Sequence, residues 1–187
     1  MALCDYLIGK DIKGYNCADP PVKGVESLGY LINRRDIDYS TLYVGDNFFI
    51  TFEPKSGATA YKVYQSGKTP FNGTQQEMAE GANANTFTNT LQLVVLKQDK
   101  DWAKQLFSLV NGEFVAILKN RQSNDLPSVG SNYQVFGFEA GLHCTGAVRE
   151  LYSDDNLSGW VITFVEEGAT KGNLFTDSSF LTDWFEE

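Results

Sequence analysis

The sequence predicts a mainly β protein, an antiparallel β-sandwich or barrel with one central α-helix, and three observations carry that prediction. Sustained helical periodicity occurs in one place, between Asp99 and Val110. A short, nearly continuous apolar run, Phe114 to Leu118, follows directly, as suits a strand buried on both faces. The rest of the chain breaks into short β-branched and aromatic runs divided by Gly, Pro, Asn and Asp, the spacing of antiparallel neighbours. With 13% aromatic and 21% charged residues among 187, a chain of this length buries a sizeable core.

Residues 1–24 hold Gly9, Gly14, Pro20, Pro21 and Gly24 with no sustained period, and are expected to form an N-terminal arm ahead of a single domain over 25–187. Val25 to Asn33 predicts the first strand, closed by the charged group Arg34 to Asp38. Residues 48–65 alternate twice around Glu53-Pro54-Lys55-Ser56-Gly57-Ala58, which predicts a β-hairpin turning there. Ser66 to Asn85 shows no period and carries three glycines, so it predicts a long loop with Pro70-Phe71 as an apolar docking point. Thr86 to Gln98 resumes as a strand with Leu91, Leu93 and Val95 on one face.

In the helix, Trp102, Leu106 and Leu109 recur at i, i+4 and i+7, with Ala103, Phe107 and Val110 beside them. Asp99 or Asp101 can cap its amides, and Asn111 or Gly112 can end it in the left-handed conformation. Trp102, Leu106 and Phe107 are expected to hold the helix on the sheet, with Phe114 and Ile117 in the core strand beneath. Further strands are expected over Tyr133–Phe138 and in a hairpin of 141–152 with 159–165 joined by Asp154-Asp155-Asn156. Phe180, Leu181, Trp184 and Phe185 make the last residues a short amphipathic segment.

A formal charge of -9 and a pI near 4.6 argue against a surface that grips nucleic acid, since phosphate contacts need clustered Lys and Arg and the fifteen here are scattered. Cys4, Cys17 and Cys144 are odd in number and lack metal-ligand spacing, which points to a reducing compartment. The N-terminus lacks a basic stretch before its short apolar span, and no run reaches the roughly 18 apolar residues of a membrane helix. Gly67-Lys-Thr69 resembles the end of a phosphate-binding loop, but position 62 is lysine where that motif needs glycine.

His143 is the sole histidine, so a histidine-rich metal site is excluded, and in a strand it points away from its neighbour Cys144. Asp154-Asp155-Asn156 lacks the spacing of a calcium loop. Glu166-Glu167 and Glu186-Glu187 read as solvated charge. Tyr61 and Tyr64 can line a sugar-binding face or serve as cross-strand packing. No catalytic residue, cofactor or metal is expected.

Five fragments carry a family resemblance: Gly29-Tyr-Leu-Ile-Asn-Arg34, Lys68-Thr-Pro-Phe-Asn-Gly-Thr74, the helix with its following strand, Tyr133 through Leu142, and Gly159-Trp-Val-Ile-Thr163. In this order the chain, over roughly residues 25–167, resembles phage tail tube proteins, of a kind found in phages and prophages of the Bacteroidetes. The resemblance implies a structural, non-enzymatic virion protein. Its subunits form hexameric rings that stack into a tube, with the helix outside and DNA passing through in transit only. Implied partners are further copies of the chain and other tail proteins. The loop with Lys68, Pro70, Phe71, Asn72, Gln75 and Glu77 is expected to reach the next ring. Two alternatives remain: another virion component, such as a connector, tail terminator or decoration protein, or a β-sandwich module binding a carbohydrate or a protein. An unrecognised enzyme is the residual reading.

Overall fold

The computed structural model describes residues 24–44, 48–81, 84–96, 100–121, 133–152, 159–172, 174–176, 178 and 180–185. Among these the chain is mainly β, with antiparallel strand pairing in two sheets, as predicted. Eleven strands form: β1 (Val25–Asn33), β2 (Ile37–Val44), β3 (Ile50–Pro54), β4 (Ala60–Tyr64), β5 (Gln75–Ala79), β6 (Thr86–Val95), β7 (Glu113–Asn120), β8 (Tyr133–Phe136), β9 (Leu142–Arg149), β10 (Trp160–Ala169) and β11 (Leu174–Thr176). The helices are α1 (Lys100–Asn111) and the short α2 (Phe180–Trp184).

The large sheet folds over on itself. One layer runs β4-β1-β7-β8-β11 and the other β9-β10-β6-β5. They join where β9 pairs β7 over two residues, Glu113 with His143 and Phe114 with Leu142. β7 is central because each of its faces feeds a different core. Phe114, Ala116 and Leu118 point between the layers, against Leu91, Leu93, Ile162 and Phe164. Val115 and Ile117 point the other way, to Tyr30, Ile32 and Tyr133. The period-2 alternation of side chains explains why this strand reads as an unbroken apolar run. The outer core is roofed by the β2-β3 ribbon, through Ile37, Ile50 and Phe52, and by Trp184 of α2. Trp184 stands edge-on to Phe52, and its indole N–H donates to the Phe52 carbonyl at 3.4 Å.

The hairpin predicted over 48–65 does not form. β3 pairs β2 while β4 pairs β1, so residues 25–44 and 50–64 make one long two-stranded ribbon that kinks midway. The kink lies at a 3₁₀ turn, Arg34–Asp36, on one strand and at residues 55–59 on the other. The Lys55 amide donates to the Asp36 carbonyl at 2.9 Å, and the Lys55 ammonium to the Arg35 carbonyl at 2.7 Å, clamping the two bends together. Pro54 and Gly57 therefore mark a bend between sheets rather than a chain reversal.

The loop predicted over 66–85 contains a strand. β5 pairs β6 antiparallel from Gln75 with Thr90 to Ala79 with Thr86. β5 escaped sequence reading because it buries no side chain and so carries no apolar alternation. The end of α1 also differs from expectation: neither Asn111 nor Gly112 adopts positive φ. The Asn111 side chain instead folds back one turn and donates to the Phe107 carbonyl at 2.8 Å. Gly112 is needed for closeness, because a Cβ there meets the Phe114 ring.

Candidate functional site

α1 lies beside β9 with Trp102, Leu106 and Leu109 half-buried against the inner core. Between this helix, β6 and the outermost strand β4 runs a groove of about 1990 Å³. Among the described residues β4 is bonded to β1 alone, so its wall of the groove is an unpaired strand edge there. Gln65 donates its backbone N–H to the Ser27 carbonyl, so in antiparallel alternation the backbone groups of Lys62 and Tyr64 face outward. An edge of this kind is a template for a further strand.

Across the groove, side chains take over strand pairing. Beyond its five pairs with β5, β6 keeps an open edge at Gln92 and Val94. The Gln65 amide fills part of it: its Oε1 accepts from Val94 N–H at 2.9 Å, and its Nε2 donates to Val94 C=O at 3.0 Å. Thr74 Oγ1 accepts from Gln92 N–H at 3.3 Å. Gln65 is itself buried and follows directly on β4, so it joins the two walls at the groove's base. β4 is thus left as an open edge while β6 is closed, which assigns the groove a direction for pairing.

Charge differs between the two outermost strands. Arg35, Lys62 and Lys104 line the groove as exposed cations, with Glu113 as the acidic exception. On β5 and just past it, Glu77 and Glu80 are exposed carboxylates, and Met78 is an exposed apolar side chain between them. In a chain of net charge -9, these three cations come from three elements around the groove: Arg35 from the 3₁₀ turn, Lys62 from β4 and Lys104 from α1.

The residues expected to form an assembly loop are divided by the structure. Pro70 and Phe71 are both buried, and Phe71, at 4% exposure, belongs to the protein's own inner core. The docking partner of this apolar point is therefore the same chain. Phe71 takes a positive φ of 55°, a strained conformation for an aromatic residue that aims its ring inward. Lys68, Asn72, Gln75 and Glu77 stay exposed, and Gln75 Nε2 donates to Glu77 Oε1 at 3.0 Å. Of the residues expected to pack the helix, Phe114 and Ile117 are buried and Trp102 and Leu106 half-buried. Phe107 is a correction: at 72% exposure it projects from α1 on the groove side. The apolar face of α1 is narrower than its composition suggested, because Phe107 lies one position past the i, i+4, i+7 stripe.

Glu166 is the second correction. Read from sequence as solvated charge, it is 1% exposed. Its carboxylate accepts four hydrogen bonds, all from neutral N–H groups: Oε2 from Asn89 Nδ2 at 2.7 Å and Gly137 N at 2.8 Å, Oε1 from Glu139 N at 2.9 Å and Ala140 N at 2.8 Å. The signal was in the alternation of β10, where Ile162 and Phe164 face the core and Glu166 continues their face. The network extends further, with Gln76 Nε2 donating to Asn89 Oδ1 at 2.9 Å and Gln134 Nε2 to Gln76 Oε1 at 2.8 Å.

Other candidates fall away or stand apart. Tyr61 and Tyr64, three positions apart on β4, lie on opposite faces of the strand and do not make one stacking platform. Tyr61 shares the face of Val63, which packs on the inner core, and Tyr64 that of Lys62, whose ammonium sits 5.1 Å from the Phe185 ring. His143 is exposed and Cys144 half-buried, on opposite faces of β9. Among the described residues no group of His, Cys, Asp and Glu is placed to hold a metal ion, and no helix is long and apolar enough to cross a membrane. The arm at 1–23, Asp99 and the turn at Asp154 to Asn156 lie outside the described residues. No family model matches the chain, and no curated protein or solved structure matches it.

Proposed function

We propose that the chain is a tail tube subunit, a virion structural protein whose copies join side by side into rings that stack around a channel for DNA. The observation that carries this reading is the pair of unlike edges left free among the described residues, β4 at the end of one layer and β5 at the end of the other. A head-to-tail contact of two different surfaces repeats around a ring, and closure removes the exposed edges from solvent. Lys62 on β4, with Glu77 on β5 and Glu80 just past it, gives the two edges opposite charge. Complementary charge of this kind fixes partner and register more than it adds affinity. The remaining free edges are less suited to the role: β11 is three residues long, and its Phe175 already bridges to Phe49.

In this reading DNA touches the protein only in transit, the other partners are tail proteins at the tube's ends, and the place of action is the virion. Electron microscopy of the purified protein tests it. Rings or stacked tubes are the expected result, and a monomer that persists at high concentration in sedimentation velocity would overturn the proposal.

A further inference from the structure

Strand β5 has an unusual means of attachment. None of its five side chains is buried, and Met78, its largest apolar residue, is 61% exposed. Hydrophobic burial, which anchors every neighbouring strand, is missing here. What remains is the backbone ladder to β6, an exposed contact in which Asn85 Nδ2 donates to the Met78 sulfur at 3.4 Å, and the side chain of Gln76. Gln76 bonds Asn89 on one side and Gln134 of β8 on the other, so it ties β5 to both layers at once. Asn89 is oriented in turn by Glu166, its direct cross-strand neighbour on β10. Glu166 is fixed by three backbone amides of the β8-β9 corner.

A buried carboxylate is a costly way to hold a fold together, because apolar side chains of similar volume do so at least as well. The polar chain does what apolar packing cannot: it is directional, and each link depends on the orientation of the next. Asn89 has its Nδ2 turned to Glu166 and its Oδ1 to Gln76. Were Glu166 unable to accept that bond, the amide would lose the constraint that presents its oxygen to β5.

We propose that Glu166, Asn89 and Gln76 form a latch that holds β5 on β6, and that this latch decides whether the sheet ends in β5 or in β6. With the latch closed, the outer edge is β5 with Glu77 and Glu80. With the latch open, residues 86–90 of β6 become the edge, and the acidic surface is lost. Glu166 is in this sense a positioning residue that acts on a surface it does not touch. The latch stands on the hydrogen-bond geometry of the single chain and holds whether or not the chain builds a tube.

Hydrogen–deuterium exchange on the full chain tests it, using Gln76→Leu and Glu166→Gln. Gln76→Leu removes the pin without touching the buried carboxylate. That variant loses two hydrogen bonds, to Asn89 and from Gln134, and each corresponds to amides over 75–79 exchanging up to about tenfold faster. The proposal expects that acceleration in both variants, confined to β5 and the facing residues 86–90, with β7 unchanged. It also expects the double variant to exchange β5 no faster than the Gln76→Leu single variant, since Glu166 acts on β5 only through Gln76. Unchanged β5 exchange in Gln76→Leu would overturn the latch. Acceleration spread over β7 and β10 in that variant would overturn it too, showing a network that merely supports the fold. Monomeric behaviour with a normal β5 response would count against the tube reading alone.

Discussion

Gly29 and Phe71 occupy one another's space: a Cβ on Gly29 falls 2.7 Å from the Phe71 ring and 2.6 Å from Leu118 Cδ2. The glycine sits in the middle of β1, where its lack of a side chain weakens a strand unless something else fills the gap. Here the filling comes from residues 70–73, whose turn closes with Thr74 N–H donating to the Phe71 carbonyl at 3.1 Å. Gly29→Ala is expected to force the ring out or shift β1, at about 1–3 kcal/mol of overpacking. Phe71→Ala should cost about 3–5 kcal/mol by the opposite route, a cavity. The double variant should recover part of the loss, because the methyl enters the space the ring left. Urea denaturation of the three proteins measures this, and strict additivity would show that the two residues do not share a site.

How much of this was legible in the sequence depends on what each element buries. β1 begins and ends where the apolar pattern places it, and β7 and the β9-β10 hairpin follow their runs, because burial dictated their residue types. β2, β5 and β11 were not read. β5 packs through amides, and β11 is too short to show a period. The misread hairpin had a different cause: alternation identifies strands but not their partners, and a bend between sheets uses the same Pro and Gly as a reversal. The groove was illegible because the fold, not the chain, sets β4 across from β6 and α1, and because Gln65 stands in for a strand. Glu166 could have been found by extending the period of β10 by one step.

The helix separates a structural from a surface role in two neighbouring residues. Phe107 is exposed, so Phe107→Ser is expected to change stability by less than about 0.5 kcal/mol. Trp102 is half-buried against the inner core, so Trp102→Ala should destabilise measurably but by less than the roughly 3–5 kcal/mol of a fully buried tryptophan. Ile117→Ala, in the central strand, should cost about 2–5 kcal/mol and set the upper reference. Thermal melts of the three variants order them, and a large loss in Phe107→Ser would remove it from the surface.

Three tyrosines make stability sensitive to alkali. Burial raises the phenol pKa of Tyr30, Tyr39 and Tyr133, with the neighbouring phenols Tyr133 and Tyr64 adding to the effect at Tyr30. The folded chain then holds these protons more tightly than the unfolded chain does. Their contribution is complete below the unfolded pKa of about 10 and is lost as pH rises through the folded values. Denaturation midpoints are therefore expected to fall above about pH 10, and Tyr133→Phe should reduce the slope of that fall. A midpoint that rises over the same range would reverse the sign and refute the burial argument.

The unlike edges give the proposed ring a charge test that a single chain can carry. Lys62 lines the groove and Glu77 projects from β5, and no ion pair joins them within one chain among the described residues. Lys62→Glu should place a carboxylate opposite the β5 carboxylates and weaken association, and Glu77→Lys should weaken it likewise by pairing cation with cation. Combining both in one chain restores opposite charge at every contact of a closed ring, so the double variant is expected to regain the association that each single variant lost. Because exposed charges act through screened solvent, the single-variant defects should shrink as salt rises. Both are surface residues, and the folded monomer should keep its melting temperature within a few degrees. Sedimentation velocity of the four proteins at low and high salt distinguishes the outcomes. A double variant worse than either single one would mean that β4 and β5 do not face each other in the assembly, leaving the groove to a different partner.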